Sequence, residues 1–536
     1  MSALYIHGDH DSNLTFVDKE GKLTTIEYER YSKHRYDSYT PHMSGSQYSV
    51  DRKRAFLEYI KSIASPIEKI YFMSADPNTA DQTEMSLFGE VFPGIEVEQM
   101  HNHHRYHCLY AYHLSGFDRA FILSMDGGGT ASDERYSNLT WTNHYRGEGG
   151  RVDHLFFDEV TNMGMAYLSL GYFMSELTGN GLWKPRYDLA WPGKVMGLCA
   201  YGNVIEEWVP ALEQYFKSPH AHVWQGKYQE VEALQESIGV ELTENCFVGQ
   251  QSYDFAATAQ KAFENVVMSI LDPYIEEYDN FIVTGGCALN VLLNQKLKKK
   301  LADLGKELYV PPNPNDCGLS LGMFYEHNPD TDLSFSVYNG MRLLDHGMLY
   351  DHIQERDATK VSTRDIVDLI KQGKIIGLVE GDSEVGPRAL GNRSIICDPS
   401  NPNMKDILNH KVKFREWYRP FAPVCRLEDM HNYFDDVFES EYMSYAPTIK
   451  QEYREKLASV CHHDNTARLQ TVREDQHKTF YNILTELNDR GEIPVILNTS
   501  FNIKGQPILS RITDALYCLD NTEMDYVIID GWLFGK

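Results

Sequence analysis

Arg119-Ala-Phe-Ile-Leu-Ser-Met125-Asp126-Gly127-Gly128-Gly129-Thr130 is an apolar run that ends on an acid and three glycines. Residues 119–125 read as a buried strand and the glycines as a tight loop after it. Working outward, 103–114 has helical spacing. Residues 3–7, 13–18 and 24–29 read as strands around the polar turn 8–12; 51–63 reads as a helix and 69–73 as a short strand. Downstream, a long apolar-periodic helix over 253–278 leads into a strand at 281–284, then Gly285-Gly286, then a helix from about Cys287. Asp316 opens a further helix. Strands, glycine turns and helices alternate to about residue 335, which is an α/β pattern with antiparallel hairpins. A polar, proline-containing stretch at 328–335 is a candidate linker. A new α/β unit follows, with a helix at 365–372 and a strand at 375–379. A chain of 536 residues suits two large domains, drawn here at 1–338 and 339–536.

Composition narrows the function. With 42% hydrophobic and 24% charged residues the chain is globular. No run approaches the roughly 18 to 20 apolar residues that span a bilayer, so no membrane partner is expected. Residues 1–10 lack the charged and apolar regions of a signal peptide. The nine cysteines are widely spaced and contain no C-x-x-C pair, which argues against a disulfide framework or zinc ribbon and for a reducing cytoplasm. A formal net charge of −27 sets a global field that repels polyanions, although a local basic groove remains possible in principle.

Three constellations carry chemistry. His103-x-x-x-His107 places two imidazoles on one helix face, where both can reach one metal. Asp126 and Asp316, each at a strand end or loop beside a glycine turn, are the candidate acidic ligands. Two histidines and two aspartates suit iron, zinc or manganese better than calcium. Glycine turns at Asp126–Gly129, Gly193–Gly197 and Gly285-Gly286 could bring backbone N–H groups close to phosphate. Taken singly, each also reads as a plain turn. The densest signal is Arg388, Arg393, Lys411, Lys413, Arg415 and Arg419 within a strongly acidic chain. Such a cluster is costly unless anions neutralise it, and the interleaved Trp417, Tyr418, Pro420 and Phe421 suggest a shaped, partly buried site. His462 and Arg468 add a polar patch. Asn498 to Asn502 follow a strand at 494–497 with groups that suit phosphate or ribose. His10, between Asp9 and Asp11, is a candidate general base.

Together these stretches resemble the NodU/CmcH-type O-carbamoyltransferase family, nearly end to end. They are Asp9-His10-Asp11, Tyr28-Glu29-Arg30, the His103/His107 helix, Met125-Asp126-Gly127, Gly193 to Leu198, Gly285-Gly286 with Leu289-Asn290, and Pro311-Pro312 to Asp316. Further along are Gly386-Pro387-Arg388-Ala389-Leu390-Gly391, Arg415 to Pro423 and Asn498 to Asn502. The resemblance implies a Kae1-like N-terminal domain of the actin/Hsp70/sugar-kinase superfamily and a YrdC-like C-terminal domain. It implies that carbamoyl phosphate and ATP, with Mg2+, give carbamoyl-adenylate and pyrophosphate at Arg388, Lys413, Arg419, His462, Arg468, Asn498 and Ser500. The adenylate would then bind near Gly127, Gly128, Lys194, Gly285, Gly286 and Asn290. There it would lie beside Fe2+, or another divalent metal, held by His103, His107, Asp126 and Asp316. His10 would serve the transfer to an acceptor hydroxyl.

The acceptor expected from the sequence is 5-hydroxymethylcytosine in DNA. Arg30, Lys33, His34, Arg35, Arg52, Lys53 and Arg54 interleave with Tyr31, Tyr36, Tyr39 and Tyr48, a mixture that suits a backbone groove with base stacking. A sugar, antibiotic or Nod-factor hydroxyl is the alternative acceptor. A non-catalytic nucleotide-binding module is the alternative class. A homodimer is compatible with the sequence.

Overall fold

The computed structural model describes residues 2–38, 49–74, 81–130, 139–158, 160–178, 188–221 and 229–536. Tyr39 and Tyr48 of the basic–aromatic stretch lie outside them. The chain forms two compact units, Met1–Met100 with Thr331–Lys536, and His101–Asp330. The units part at 330/331, inside the stretch that reads as a linker.

In the first unit, β1 (Ala3–His7), β2 (Asn13–Val17), β3 (Leu23–Glu27), β4 (Lys69–Met73) and β5 (Glu96–Met100) form a sheet of order β3-β2-β1-β4-β5. β1, β2 and β3 are an antiparallel meander, and β4 and β5 add in parallel. The second unit builds its own sheet from β6 (Arg119–Thr130), β7 (Leu139–Glu148), β8 (Arg151–Asp158), β9 (Asn280–Thr284) and β10 (Glu307–Tyr309), of order β10-β9-β6-β7-β8. Its first strand is again central, with a meander on one side and two parallel strands on the other. One topology therefore occurs twice, and it is invisible as a sequence repeat because only patterning, not identity, is needed to build it.

The rest of the first unit holds β11 (Thr359–Lys360), β12 (Ile376–Val379), β13 (Arg393–Cys397), β14 (Ala422–Arg426), β15 (Phe434–Asp435), β16 (Thr448–Ile449), β17 (Gln470–Val472), β18 (Val495–Ser500), β19 (Tyr526–Ile529) and β20 (Trp532–Gly535). Eight of these make a mixed sheet of order β11-β20-β19-β12-β13-β18-β14-β17, while β15 and β16 pair separately. Alternate residues feed opposite cores, as strand geometry requires. Ile395, Cys397, Val495, Leu497, Val527 and Ile529 join one core, and Ile376, Leu378, Ile396, Ile496 and Ile528 join the other. Helix Ile512–Asn521 covers the first face, and helices Thr363–Lys371 and Lys478–Asp489 cover the second. The fold class is α/β with mixed sheets, as expected. The compact units divide the chain differently from a single cut at 338, although the eight-stranded sheet draws every strand from beyond it.

Four local expectations are corrected. Asp126–Thr130 is not a loop: β6 continues through it, with a register shift between Met125 and Gly129. Gly193–Gly197 is not a turn but part of helix Trp191–Cys199, which Pro192 starts in its first turn. The long helix ends at Leu271, ahead of Pro273, which has no N–H for it to continue. β18 runs on to Ser500, so Asn498 and Ser500 sit within a strand. Among the described residues no helix is long and apolar enough to cross a membrane, and all nine cysteines are thiols.

Candidate active site

Within the 101–330 unit, four side chains converge. The His103 Nε2 and His107 Nε2 atoms lie 3.1 Å apart. Asp126 Oδ2 is 2.8 Å from His103 and 3.2 Å from His107, and Asp316 Oδ1 is 3.5 and 3.3 Å from them. The four ligand atoms all fall within 4.8 Å of one another. Four donors about 2.1 Å from a tetrahedral ion would sit roughly 3.4 Å apart, close to these values. Two neutral imidazoles turned toward each other leave opposed lone pairs, and two nearby carboxylates repel. A divalent cation resolves both problems and brings the formal charge to zero. The donor set therefore fits a borderline divalent metal.

The polypeptide places these groups by close approach. Helix His103–Ser115 carries both histidines one turn apart. The irregularity in β6 re-aims Asp126. Asp316 starts the turn that leads into helix Leu319–His327, where the positive end of the helix favours a carboxylate. A side chain on Gly322 would lie 2.1 Å from the Tyr106 carbonyl oxygen, so the two ligand-bearing helices can touch only because this position is glycine. Gly164 bears in the same way on the Asp126 backbone, at 2.2 Å. The Gly286 N–H donates to Asp126 Oδ1 at 3.0 Å. Thr284 Oγ1 donates to the carbonyls of His107 and Pro314, both at 3.4 Å. Sequence reasoning missed Gly164, Thr284 and Gly322, since nothing local marks a residue whose role is to let two elements touch.

Without a metal, burial opposes a charge on His107, but Asp126 and Asp316 outweigh it and lift its pKa to about 9. Burial and Asp316 push the Asp126 carboxyl upward, and the two histidines overcome them and hold it low. The same pull that retains protons would hold a cation. The neighbouring His104 is different. It is fully buried between Ser124 Oγ and the Thr140 carbonyl, both at 2.9 Å, and burial drives its pKa down to about 3. It is a neutral core histidine.

A Cβ on Gly286 would lie 2.7 Å from Asp126 Oδ1. Gly286→Ala is therefore expected to weaken divalent-cation binding about 10- to 100-fold, the usual cost of disturbing a ligand's supporting bond. Titration calorimetry with Zn2+ checks this; wild-type affinity in a folded Gly286→Ala variant would refute the assignment.

The other expected contacts in this unit are mixed. Gly127 and Gly128 lie in β6 beside Asp126, Gly128 with a φ of +139°. Gly285 must be glycine, with a φ of +85° and the Met125 carbonyl 2.2 Å from any added Cβ. Lys194 is buried on its helix, 3.8 Å from Asp188. The Asn290 amide caps helix Val291–Asp303 by accepting from Leu293 N at 3.1 Å, and it exchanges bonds with Gln260 at 3.1 and 2.9 Å. Both ends of that amide are thus engaged internally.

In the first unit, the basic constellation separates into two groups. Arg393 turns inward and donates to the carbonyls of Glu380, Asn392 and Gly381. Lys411 pairs on the surface with Glu523 at 3.0 Å. Neither belongs to the recess. Arg388, Lys413, Arg415, Arg419 and Arg468 remain, and they act on one another, although Arg415 also donates to Asn409 Oδ1 at 2.8 Å and to the Pro420 carbonyl at 3.2 Å. Burial, then Arg419, lowers Arg388 to about 10. Burial, then Arg415, lowers Lys413; burial, then Arg419, lowers Arg415; and burial, then Arg388, lowers Arg468. Glu416 lies 4.0 Å from Arg419. Buried cations that act on one another in this way are the arrangement an anionic ligand would relieve. Arg388, Arg415, Arg419 and Arg468 keep partial solvent exposure.

Neighbouring polar groups line the cluster. Lys413 Nζ donates to Ser500 Oγ at 3.1 Å and to Asn502 Oδ1. Asn498 donates to the Ala389 carbonyl at 3.0 Å and to Gln470 at 2.8 Å, and its buried Oδ1 has no partner among the described residues. His462 Nδ1 lies 3.1 Å from Thr466 Oγ1. Burial lowers the ring's pKa to about 4, and the buried Arg468 Nε has no partner among the described residues.

His10 lies in the turn after β1. Its ring is one third exposed, with Nδ1 3.2 Å from Asp11 Oδ2. In the basic–aromatic stretch, most of the described charges have acidic partners. Arg30 is buried against Glu27, Lys33 pairs with Asp514, Lys53 is buried near Glu84, and Arg54 pairs with Asp51 and Glu90. Tyr31 packs on Phe56 and Tyr59, and the Arg35 guanidinium sits 4.5 Å above the Tyr36 ring.

An α/β chain with a His2Asp2 cluster and a recess of uncompensated cations has the parts of a group-transfer enzyme. The family description "Carbamoyltransferase N-terminus" matches residues 95–323, and "Carbamoyltransferase C-terminus" matches 367–536. The chain belongs to the carbamoyltransferase family. It is 29% identical to nodulation protein NolNO of Sinorhizobium fredii over 98% of this chain and 79% of that one. It is 26% identical to an uncharacterized protein of Methanocaldococcus jannaschii over 98% of both. It is 29% identical to the 3'-hydroxymethylcephem-O-carbamoyltransferase of Amycolatopsis lactamdurans over 65% of each chain. Among solved structures, full-length HypF in a phosphate- and nucleotide-bound form aligns at a TM-score of 0.34 and 12% identity, over 62% of this chain and 56% of that one. That likeness is too loose to fix topology.

Proposed function

We propose that this carbamoyltransferase works in two half-reactions and that its acceptor is the hydroxyl of a small molecule. The observation that carries the reading is the cluster of buried cations Arg388, Lys413, Arg415, Arg419 and Arg468, which act on one another with Glu416 beside Arg419. A triphosphate and carbamoyl phosphate supply the missing negative charge. Water releases phosphate from carbamoyl phosphate and leaves carbamate. A carbamate oxygen then attacks the α-phosphorus of Mg-ATP, forming carbamoyl-adenylate and expelling pyrophosphate. Arg388, Lys413, Arg419 and Arg468 bind and orient the phosphates, and His462, Asn498 and Ser500 supply neutral polar contacts.

In the second half-reaction the acceptor oxygen attacks the carbamoyl carbon and AMP leaves. His103, His107, Asp126 and Asp316 would hold the divalent cation, with iron the ion that the family resemblance implies, and such an ion supplies Lewis acidity. Gly127, Gly128, Gly285 and Gly286 keep backbone close to the adenylate, and Lys194 balances its charge. His10 accepts the hydroxyl proton, oriented by Asp11. The functional division proposed is transfer on 1–338 and activation on 339–536. His10→Ala is expected to preserve pyrophosphate release and lower carbamoyl transfer by about 10^2- to 10^4-fold, the usual worth of a positioned acid or base. Loss of both activities would reassign His10.

The small-molecule acceptor is favoured because the stretch that suited DNA spends most of its described charges on internal partners, and because one relative is named for a hydroxymethylcephem. Incubation with carbamoyl phosphate, Mg-ATP and Fe2+, followed by mass spectrometry of a glycoside and hydroxymethyl panel beside 5-hydroxymethylcytosine DNA, tests this. A carbamoylated small molecule is the expected result, and carbamoylated DNA would restore the nucleic-acid acceptor. ATP binding with no pyrophosphate release in any mixture would indicate a non-catalytic module.

A further inference from the structure

The recess is assembled from residues beyond 388, yet the turn that begins it is held from the other end of the chain. Glu27 closes β3, and Arg30 lies in the short helix Tyr28–Ser32 that follows. Both side chains are buried, at 4% and 2% exposure, and pair through Glu27 Oε2 and Arg30 Nε at 2.6 Å. Together they grip one residue by both of its backbone groups. Arg30 Nη2 donates to the Gly386 carbonyl at 2.7 Å, and the Gly386 N–H donates to Glu27 Oε2 at 3.3 Å. Gly386 has a φ of +101°, a conformation that L side chains rarely adopt. The clamp therefore fixes a glycine-dependent turn two residues before Arg388. Ser510 Oγ donates to the Arg30 carbonyl at 2.6 Å and locks the clamp from behind.

A buried ion pair is weak evidence of stabilisation, because desolvation consumes most of its attraction. Fixing a register is its better-attested use. Here the register matters because Arg388 is aimed against the repulsion of Arg419, and an unrestrained turn would let the guanidinium swing away. The same N-terminal segment continues to Arg35, whose charge acts on Arg388, Lys413 and Arg415.

We propose that Glu27 and Arg30 are positioning residues for the anion recess, so that anion capture by the C-terminal residues depends on the first 30 residues of the chain. This rests on the recess being the activation site, but its geometry can be read by anion binding alone. The test uses the full chain and three variants: Glu27→Gln, Arg30→Lys, and Gly386→Ala, which disturbs the turn without touching the pair and serves if either of the others does not fold. Inorganic pyrophosphate is titrated by calorimetry, the KM for carbamoyl phosphate is measured from pyrophosphate release, and melting curves report folding.

The expected result in folded variants is pyrophosphate binding about tenfold weaker. KM should rise by a similar factor, with a smaller fall in kcat. Wild-type affinity and KM in folded variants would overturn the proposal. So would a fall in kcat alone that tracks the folded fraction, because that marks a merely structural pair. If the wild type binds pyrophosphate but never releases it from ATP, the activation reading fails, and the clamp is judged on the dissociation constants of the variants.

Discussion

Arg388→Ala is expected to abolish carbamoyl-phosphate-dependent pyrophosphate release, by about 10^3-fold or more, and to raise the melting temperature. The activity loss follows from the proposed activation chemistry, which does little covalent work through protein groups and depends on cations that hold and neutralise phosphates. The stability gain follows from the same cluster. Arg388 and Arg419 repel each other, and Arg468 is pressed by Arg388, Arg415 and Arg419, all against burial. Deleting one member relieves a cost that only a bound anion otherwise offsets. A gain of about 1 kcal/mol would raise the midpoint by roughly 2 °C in a unit of this size. Arg419→Ala should lose activity similarly but gain less, because it also gives up the contact to Glu416. Saturating pyrophosphate should reverse the ranking, stabilising the wild type above Arg388→Ala. Normal pyrophosphate release by either variant, or a wild type that pyrophosphate does not stabilise, would remove these residues from the site.

What the sequence disclosed follows a physical line. Strands β1, β4 and β9 are short apolar runs bounded by turn residues, and their limits are legible to within a residue. His103 and His107 were legible because a helix fixes which spacings share a face. The second copy of the five-stranded topology was not, since strand order is decided by pairing among residues far apart. The loop reading of Asp126–Thr130 failed because glycines that suit a turn equally suit an irregular strand packed against a helix, and Gly129 would otherwise strike His103 at 2.4 Å. Gly193–Gly197 failed for the opposite reason: two glycines in a helix whose other residues bury well do not break it. Counting charges overstated the basic groups in two places. Arg393 and Lys411 sit amid the recess residues in sequence but point elsewhere, and the 30–54 stretch reads as a polyanion groove until its pairs to Glu27, Asp514 and Glu90 are seen. Sequence shows the sign of a charge but not its partner.

His107→Ala should separate the two half-reactions, losing carbamoyl transfer by about 10^3-fold or more while pyrophosphate release continues near the wild-type rate. His107 is fully buried, and its Nε2 lies 3.1 to 3.3 Å from the other three candidate ligands. Removing it takes away one of four donors and leaves Asp126 and Asp316 facing each other with a single imidazole. Cation affinity should fall by more than the 10- to 100-fold typical of a lost supporting contact, and the empty site should destabilise its unit through the carboxylate repulsion. The residues proposed for activation belong to the other compact unit and use their own cations, so nothing in their geometry requires His107. A chelator followed by restored Mg2+ should reproduce the phenotype in the wild type, and one equivalent of Fe2+ or Zn2+ should rescue the wild type but not His107→Ala. His104→Gln is the internal control. That ring is held by Ser124 and Thr140 and does not face the ligand set, so the variant should lose stability and keep its metal. If His107→Ala binds the cation as tightly as the wild type, the four side chains are not a metal centre. If it also loses pyrophosphate release in a folded protein, the half-reactions are not separable as proposed.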